Sequence, residues 1–144
     1  MKKLFLIGLI AMLFIGCKKE SKPSVLQPTT ISKTLLIGQW HLQQNTFNTY
    51  TNGVLSNSQV SGDGSEILTL KSDNTGSDIS PETNFSSNIT YSLPSGNNIS
   101  ITYLNTSVKE TQTGVVKVLT NNKLEIYFDY ISVSGEAWDD VYSK

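Results

Sequence analysis

Residues 89–103 read ITYSLPSGNNISITY and decide the fold class of this chain. Apolar side chains stand at every second position of 89–93 and again of 99–103, with Thr or Ser between them. Successive side chains of a β-strand point to opposite faces, so this period of two predicts strands with one buried and one exposed face. The intervening Pro94–Asn97 consists of turn-forming residues. The stretch therefore predicts two antiparallel strands joined by a tight turn.

The same pattern continues on both sides of this stretch, in short runs separated by turn signals. Asn52-Gly53 is a strong signal for a two-residue hairpin, because both residues tolerate positive φ. No window after Cys17 shows a period of 3.6 residues, so no helix is expected. We count eight or nine short strands, in runs at 38–51, 54–60, 66–71, 77–80, 89–93, 99–103, 116–118, 124–130 and 137–144. One all-β domain over 34–144 is predicted, closing as a barrel or stacking as a sandwich.

The amino terminus has the layout of a secretory signal. Met1–Lys3 is a short basic start, and Leu4–Ile15 is an unbroken apolar run, followed by the small residue Gly16. The run is shorter than the roughly 20 helical residues that cross a hydrocarbon core. Residues 13–17, LFIGC, resemble the lipobox of bacterial lipoproteins. The resemblance implies that residues 1–16 are removed and that lipid attached to Cys17 holds the protein on a membrane.

Residues 17–33 form a polar stretch with two prolines, which predicts a flexible tether between the lipid and the domain. Two or three acyl chains anchor a protein stably, because each buried methylene contributes about 0.8 kcal/mol. Position 18 is Lys rather than the Asp that retains many lipoproteins on the inner membrane, and 18–21 resembles the export tag of Bacteroidetes surface lipoproteins. We expect an outer-membrane lipoprotein of the cell envelope, facing either the periplasm or the surface.

Composition excludes several classes of partner. The chain has 11 basic residues, all of them lysine, and a formal net charge of −1, so we expect no nucleic-acid partner. Without arginine it lacks the residue best suited to bidentate recognition of carboxylates and phosphates. Cys17 is the only cysteine, which excludes an internal disulfide and leaves the domain without thiolate ligands for a metal. We expect a monomer without a cofactor.

Several segments, in order, resemble the lipocalin-like lipoproteins of Bacteroidetes, within the calycin group. They are LIGQWHL at 36–42, ILTLKSDNTG at 67–76, ITYSL at 89–93, NISI at 98–101 and VKVLTNNKLEI at 116–126. The resemblance covers about residues 34–144 and implies an up-and-down antiparallel β-barrel of about eight strands. It also implies that Gly38 and Trp40 close one end of the barrel, near the start of the first strand. Lipocalins often stack an Arg on this Trp, and here only Lys144 or Lys123 is placed to replace it in part.

The sequence marks no catalytic site. His41 is the only histidine, alternation directs it to the face opposite Trp40, and neither a nucleophile nor a second base is marked beside it. Asp139-Asp140 next to Trp138 resembles half of a glycosidase carboxylate pair. We interpret it instead as two charges on an exposed strand.

Two acidic pairs offer the oxygen ligands that calcium prefers. They are Asp63 with Glu66, and Asp73 with Asp78. Neither pair has the spacing of a twelve-residue calcium loop, and Asp is also one of the residues that turns require. We favour the turn interpretation and expect no metal site.

Three functional hypotheses follow. Aromatic residues occur on most predicted strands, and in a small barrel they either fill the interior or surround one small ligand. The leading hypothesis is non-enzymatic binding of a small apolar or amphipathic ligand, which predicts an open apolar cavity of at least about 300 Å³. The alternative is a structural or interaction module that docks on envelope proteins or glycans through an exposed aromatic patch. An enzyme is the third, and its mark is carboxylates converging in a cleft with a strongly perturbed pKa.

Overall fold

The computed structural model describes residues 30–105 and 109–144, so Cys17 and the predicted signal segment lie outside the described residues. One short helix precedes nine β-strands. The elements are α1 (Lys33–Leu36), β1 (Gly38–Thr51), β2 (Val54–Ser61), β3 (Ile67–Leu70), β4 (Thr75–Ser80), β5 (Phe85–Ser92), β6 (Asn98–Tyr103), β7 (Glu110–Leu119), β8 (Lys123–Tyr130) and β9 (Glu136–Ser143). Each predicted run overlaps one of the nine strands, although β4, β5 and β7 begin before the predicted runs, and α1 is an addition to the predicted elements. Within this part of the chain, no helix has the length and apolar character needed to cross a membrane.

Eight of the strands, β1 and β3 to β9, form a closed antiparallel barrel in which each of β3 to β9 lies beside the next. The last strand, β9, returns to pair with β1 and places Trp138 opposite Phe47. Short turns enforce this order, because only antiparallel neighbours are joined by a few residues. The predicted all-β, up-and-down barrel of about eight strands is confirmed, and the β-sandwich alternative is wrong.

The long strand β1 is divided along one edge between two partners. Gly38–His41 pair with β3, whereas Asn45–Thr51 pair with β2, and β9 pairs along the opposite edge. β2 is therefore a ninth strand beside the barrel, and all of its side chains are exposed. The β1–β2 hairpin turns at Asn52-Gly53, where φ angles of 53° and 75° confirm the predicted turn.

The half of the barrel that holds the start of β1 is filled with apolar side chains, and we call it the closed end. It also contains the turns β3–β4, β5–β6 and β7–β8. Alternation along each strand directs every second side chain inward, so the period of two builds this core. The inward-facing side chains include Trp40, Leu70, Ile89, Ile99 and Leu124, none of them more than 1% exposed. The opposite half, with the turns β4–β5, β6–β7 and β8–β9, is the open end.

Trp40 lies buried at the closed end, next to α1, and its Nε1 donates a hydrogen bond to the carbonyl oxygen of Leu36 at 2.8 Å. Lys144, one of the two lysines named as partial replacements for the lipocalin arginine, places Nζ 4.4 Å from the centre of the Trp40 ring. Gly38 has a φ of 145°, and a Cβ there would lie 2.8 Å from Cε of Lys144. Gly38 thus provides the space through which Lys144 reaches Trp40. Ile31 is buried in the same core, so the folded part begins slightly ahead of residue 34.

Candidate functional site

A cavity of about 310 Å³ lies at the open end of the barrel. Its walls come from β4 to β7, from the β4–β5 turn and from Glu66, just before β3. The lining residues are Glu66, Asp78, Ser80, Thr83, Phe85, Tyr103, Glu110 and Gln112. The volume reaches the lower end of ligand sites, about 300 Å³. The lining is mixed rather than purely apolar, since Phe85 is the only purely hydrocarbon side chain in this set.

Strand alternation puts the polar groups of β4 inside the barrel. Gly76, Asp78 and Ser80 are buried, whereas the residues between them are more exposed. Gly76 lies among the apolar side chains of the closed end, and Asp78 and Ser80 follow on the same face toward the open end. Along the inward face of β4, Gly76 therefore belongs to the apolar core, whereas Asp78 and Ser80 line the cavity.

Asp78 is only 7% exposed, although it carries a carboxylate. The hydroxyl of Tyr103, on β6, donates a hydrogen bond to its Oδ2 at 3.1 Å. Among the described residues, its Oδ1 has no hydrogen-bond partner. Burial raises the pKa of Asp78, and the hydrogen bond from Tyr103 opposes part of that rise. A buried acceptor left without a donor costs about 1–3 kcal/mol, so the hydrogen-bonding capacity of the Asp78 carboxyl group is not fully used within the described residues.

Glu66 is the second carboxyl group of the cavity and is half-buried. Burial, together with the negative charges of Asp78 and Asp140, raises the pKa of Glu66 to about 7. Near neutral pH this side chain is therefore close to equally divided between its protonated and ionised forms. A cation in the cavity would shift that balance toward the carboxylate.

Asp140 lies inside the barrel on β9 and is 8% exposed. Asn45 donates a hydrogen bond to its Oδ1 at 2.5 Å, and Tyr142 donates one to its Oδ2 at 3.3 Å. Burial raises the pKa of Asp140 to about 6 in spite of these hydrogen bonds. The interpretation of Asp139-Asp140 as two charges on an exposed strand is wrong for Asp140. Alternation sends the neighbours to opposite faces, and Asp139 alone faces outward, where it pairs with Lys117 at 2.5 Å.

An aromatic stack fills the side of the open end that lies across the barrel from the cavity. Trp138 is at its centre, with ring-centre distances of 5.1 Å to Tyr130, 5.6 Å to Phe128 and 6.3 Å to Phe47. These residues come from β1, β8 and β9, and β9 pairs with both of the other two strands. The stack leaves the cavity on the side formed by β4 to β7.

The other residues singled out from the sequence have local structural roles. Nδ1 of His41 lies 3.2 Å from the carbonyl oxygen of Gly64. Asp63 accepts a hydrogen bond from the backbone N–H of Ser65 at 2.8 Å, and Asp73 accepts one from that of Thr75 at 3.0 Å. The turn interpretation is confirmed for both aspartates. In the ranges 30–105 and 109–144, no three His, Cys, Asp or Glu side chains are close enough to hold a metal ion.

The fold regroups the acidic residues that the sequence placed in two pairs. Asp63 and Asp73 stay in their turns, whereas Glu66 and Asp78 both line the cavity. The register explains this, since Leu68 pairs with Asp78 and Glu66 lies two residues before Leu68 on the same inward face. Alternation along each strand predicts which of these residues face inward. That Glu66 and Asp78 share one cavity can be predicted only once β3 and β4 are known to pair.

Neither a known protein family nor a curated protein matches this chain. The cavity itself offers hydrogen-bond acceptors, ionisable carboxyl groups and two aromatic rings. The rings belong to Phe85 and Tyr103, whose centres are 6.1 Å apart. Such a site is suited to holding a small polar or charged group while an aromatic surface contacts its apolar part.

Proposed function

We propose that this protein is an exported lipoprotein, anchored through Cys17, whose barrel binds a small amphipathic molecule without catalysing a reaction. The observation that carries the proposal is the cavity of about 310 Å³ at the open end, above a filled core. The packed core of the closed end lies beneath the cavity and supports its walls, and a ligand can enter from the open end. The polar lining favours an amphipathic ligand over a purely apolar one.

Catalysis is the competing explanation. The enzyme hypothesis predicts carboxyl groups that converge in a cleft and have perturbed pKa values, and Glu66 and Asp78 meet that description. Acid–base chemistry needs two groups held in different protonation states. Burial raises the pKa of Glu66, Asp78 and Asp140 alike, so their surroundings do not shift the pKa values of two carboxyl groups in opposite directions. The cluster therefore favours binding.

The position of the tether supports a binding role at a membrane. The chain enters the domain at α1, next to the closed end, where Lys144 donates hydrogen bonds to the carbonyl oxygens of Leu35 at 2.9 Å and Ile37 at 3.0 Å. In an anchored protein, the closed end would lie nearest the lipid and the cavity would be at the far end. That arrangement leaves the cavity accessible to small molecules in the surrounding compartment.

Native mass spectrometry tests this proposal. The full chain is expressed in a bacterial host with its own signal segment, extracted in a non-ionic detergent and measured under gentle conditions. We expect a small molecule to be retained and to leave unchanged when the protein is denatured. Release of a chemically altered molecule would favour an enzyme, and a protein that carries no molecule and binds none from an envelope extract would refute the proposal.

A second candidate function, docking on another envelope protein, is favoured by β2. This strand lies at the end of the strand order, and Val54, Leu55 and Val60 on it are 69%, 53% and 66% exposed. It contains no charged residue and no proline, the devices that usually protect an edge strand. Such an edge accepts an added strand from a partner. The docking hypothesis predicted an exposed aromatic patch, whereas the exposed patch on β2 is aliphatic.

Crosslinking in intact cells tests the docking function. A discrete crosslinked species should form with the wild-type chain and disappear in Val60→Lys, because a lysine on an edge strand opposes strand addition. Val133→Lys is the matched control, since Val133 is also exposed but lies in the β8–β9 turn. Equal crosslinking in both variants would exclude β2 as the docking edge.

A further inference from the structure

Acidic side chains gather at the open end of the barrel. Asp63, Glu66, Asp78, Glu82 and Glu110 line the cavity or the smaller cleft of about 160 Å³ that adjoins it. Four of the six described lysines lie at the closed end: Lys33, Lys71, Lys123 and Lys144. Charge is thus separated along the barrel axis, and the cavity lies at the negative end.

Two described lysines are placed differently, and neither lines the cavity. Lys117 faces outward and pairs with Asp139. Lys109 precedes Glu110 at the open end and is exposed. The carboxylates in the cavity therefore have no ammonium partner among the described residues that line it.

Two hydrogen-bond donors of the cavity are engaged by its own carboxyl groups. The hydroxyl of Tyr103 donates to Oδ2 of Asp78, and Gln112 donates to Glu110 at 3.0 Å. Oδ1 of Asp78 is left without a donor, in a side chain that is 7% exposed. The cavity thus presents more acceptors than donors, which is the complement of an ammonium group, a cation with donors and no acceptor.

We propose that the cavity takes the ammonium group of a small amphipathic organic amine, held between Glu66 and Asp78. This inference rests on the proposed binding function and names the chemical class of the ligand. The carboxyl group of Asp78, which lines the cavity, accepts one N–H of the ligand, and Glu66 supplies a second charge-assisted acceptor. Phe85 and Tyr103 lie beside them, so their rings contact the carbon chain or the cation itself. A bare metal ion is disfavoured, because the described acidic groups are too dispersed to coordinate one.

The ionisation of the cavity supports an ammonium ligand. Glu66 is affected by Asp78 and Asp140, and the other titratable groups that face or adjoin this carboxyl cluster are Asp63, Glu82, Tyr103, Glu110 and Tyr142. None of them is a cation. Since the pKa of Glu66 is about 7, an ammonium ligand would drive out its proton, and affinity would rise as pH increases from 5 to 8.

Calorimetric titration with three six-carbon probes tests the inference. The full chain in non-ionic detergent is titrated with hexylammonium, 1-hexanol and hexanoate, which share a tail and differ in the charge of the head group. We expect hexylammonium to bind at least about tenfold more tightly than hexanol, a difference of about 1.4 kcal/mol, and hexanoate not to bind. Proton release should accompany hexylammonium binding, detected as a heat that depends on the ionisation enthalpy of the buffer.

Variants separate the site from the overall charge. Asp78→Asn and Glu66→Gln should each weaken hexylammonium binding about tenfold, and both keep the shape of the side chain. Asp139→Asn and Glu125→Gln remove the same charge from the outer face and should leave binding unchanged. If a cavity variant fails to fold, proton release and the pH dependence in the wild-type chain still decide the question.

The outcomes distinguish this inference from the function on which it rests. Binding of hexanol or hexanoate as tight as that of hexylammonium would overturn the amine and leave a small-molecule site standing. Equal hexylammonium affinity in Asp78→Asn and Asp139→Asn would overturn the site. Absence of binding by all three probes would overturn the amine, and native mass spectrometry without a retained molecule would then also refute the binding function.

Discussion

The ammonium of Lys144 lies 4.4 Å from the centre of the Trp40 ring, so a residue just after the last strand covers a buried side chain of the first strand. The same ammonium donates hydrogen bonds to the carbonyl oxygens of Leu35 and Ile37. These carbonyls lie at the end of α1 and just after it, where a helix leaves acceptors unpaired and a cation is stabilising. Lys144, just after β9, therefore links α1 and β1 at the closed end of the barrel.

Replacement of Lys144 by Ala is expected to destabilise the barrel by about 1–2 kcal/mol. The substitution removes a cation over an indole ring, worth about 0.5–2 kcal/mol, together with two hydrogen bonds from a charged donor. Urea unfolding of the wild-type and variant chains, followed by tryptophan fluorescence, measures the difference.

Two other variants serve as controls for Lys144→Ala. Lys144→Arg keeps the charge and the hydrogen-bond donors and should retain most of the stability. Lys123→Ala removes a lysine from the same end that forms an exposed ion pair with Glu125, and such pairs contribute about 0–1 kcal/mol. A loss in Lys123→Ala as large as in Lys144→Ala would contradict the role assigned to Lys144.

Gly38→Ala should cost roughly 2 kcal/mol, and the cost should depend on Lys144. An alanine at a φ of 145° is strained, and its Cβ would lie 2.8 Å from Cε of Lys144. The flexible Lys144 side chain can move away from the new methyl group, but it then loses its contact with Trp40. Part of the loss in unfolding free energy should come from that lost contact. A double-mutant cycle with Lys144→Ala measures that part, and we expect a coupling of about 0.5–1 kcal/mol. Strict additivity would show that the glycine is needed only for its backbone conformation.

The stability of the protein should fall as pH rises from about 4 to about 7. Glu66 has a pKa of about 7 in the folded protein and an ordinary value of about 4.3 when unfolded, so the folded state binds this proton more tightly. Asp140, at about 6, acts in the same direction. Where the folded state holds more protons, raising the pH removes stability. Unfolding midpoints measured across this pH range check the expectation.

Glu66→Gln should flatten that pH dependence, because glutamine does not titrate. Glu125→Gln, on the outer face of β8, should leave the profile as it is in the wild type. A wild-type stability that is constant or rises over the same pH range would contradict the expectation, because carboxyl groups with lowered pKa values, such as Asp63 and Asp73, change stability only near and below about pH 4.

Much of the barrel was predictable because its strands carry their burial pattern in the sequence. The run at 99–103 shows this well: Ile99 and Ile101 alternate with hydroxyl side chains, and both are buried in β6. The cavity was not predictable, because Glu66 lies just before β3 and Asp78 lies on β4, and the two meet only through the register of these strands. Asp140 was misplaced for a related reason, since two adjacent acids suggested a solvent-exposed face when alternation required one of them to point inward.

Cys17→Ala should abolish membrane attachment, although Cys17 lies outside the described residues. The lipobox resemblance implies that the cysteine sulfur carries the lipid and that cleavage follows lipid attachment, so the variant should accumulate as an uncleaved precursor. Cell fractionation, with mass measurement of the purified chain, detects both effects. The barrel should still fold, since its described residues form a closed core without Cys17.

Lys18→Asp tests the predicted outer-membrane localisation. Asp at this position retains many lipoproteins on the inner membrane, so the variant should remain lipidated and cleaved but move from the outer to the inner membrane. Lys19→Asp is the matched control, because it makes the same change of charge one residue later and should leave the protein in the outer membrane. Membrane separation on a sucrose gradient locates each variant. Identical distributions for Lys18→Asp and the wild type would contradict sorting by residue 18, and a wild-type chain found in the soluble fraction would contradict the anchor itself.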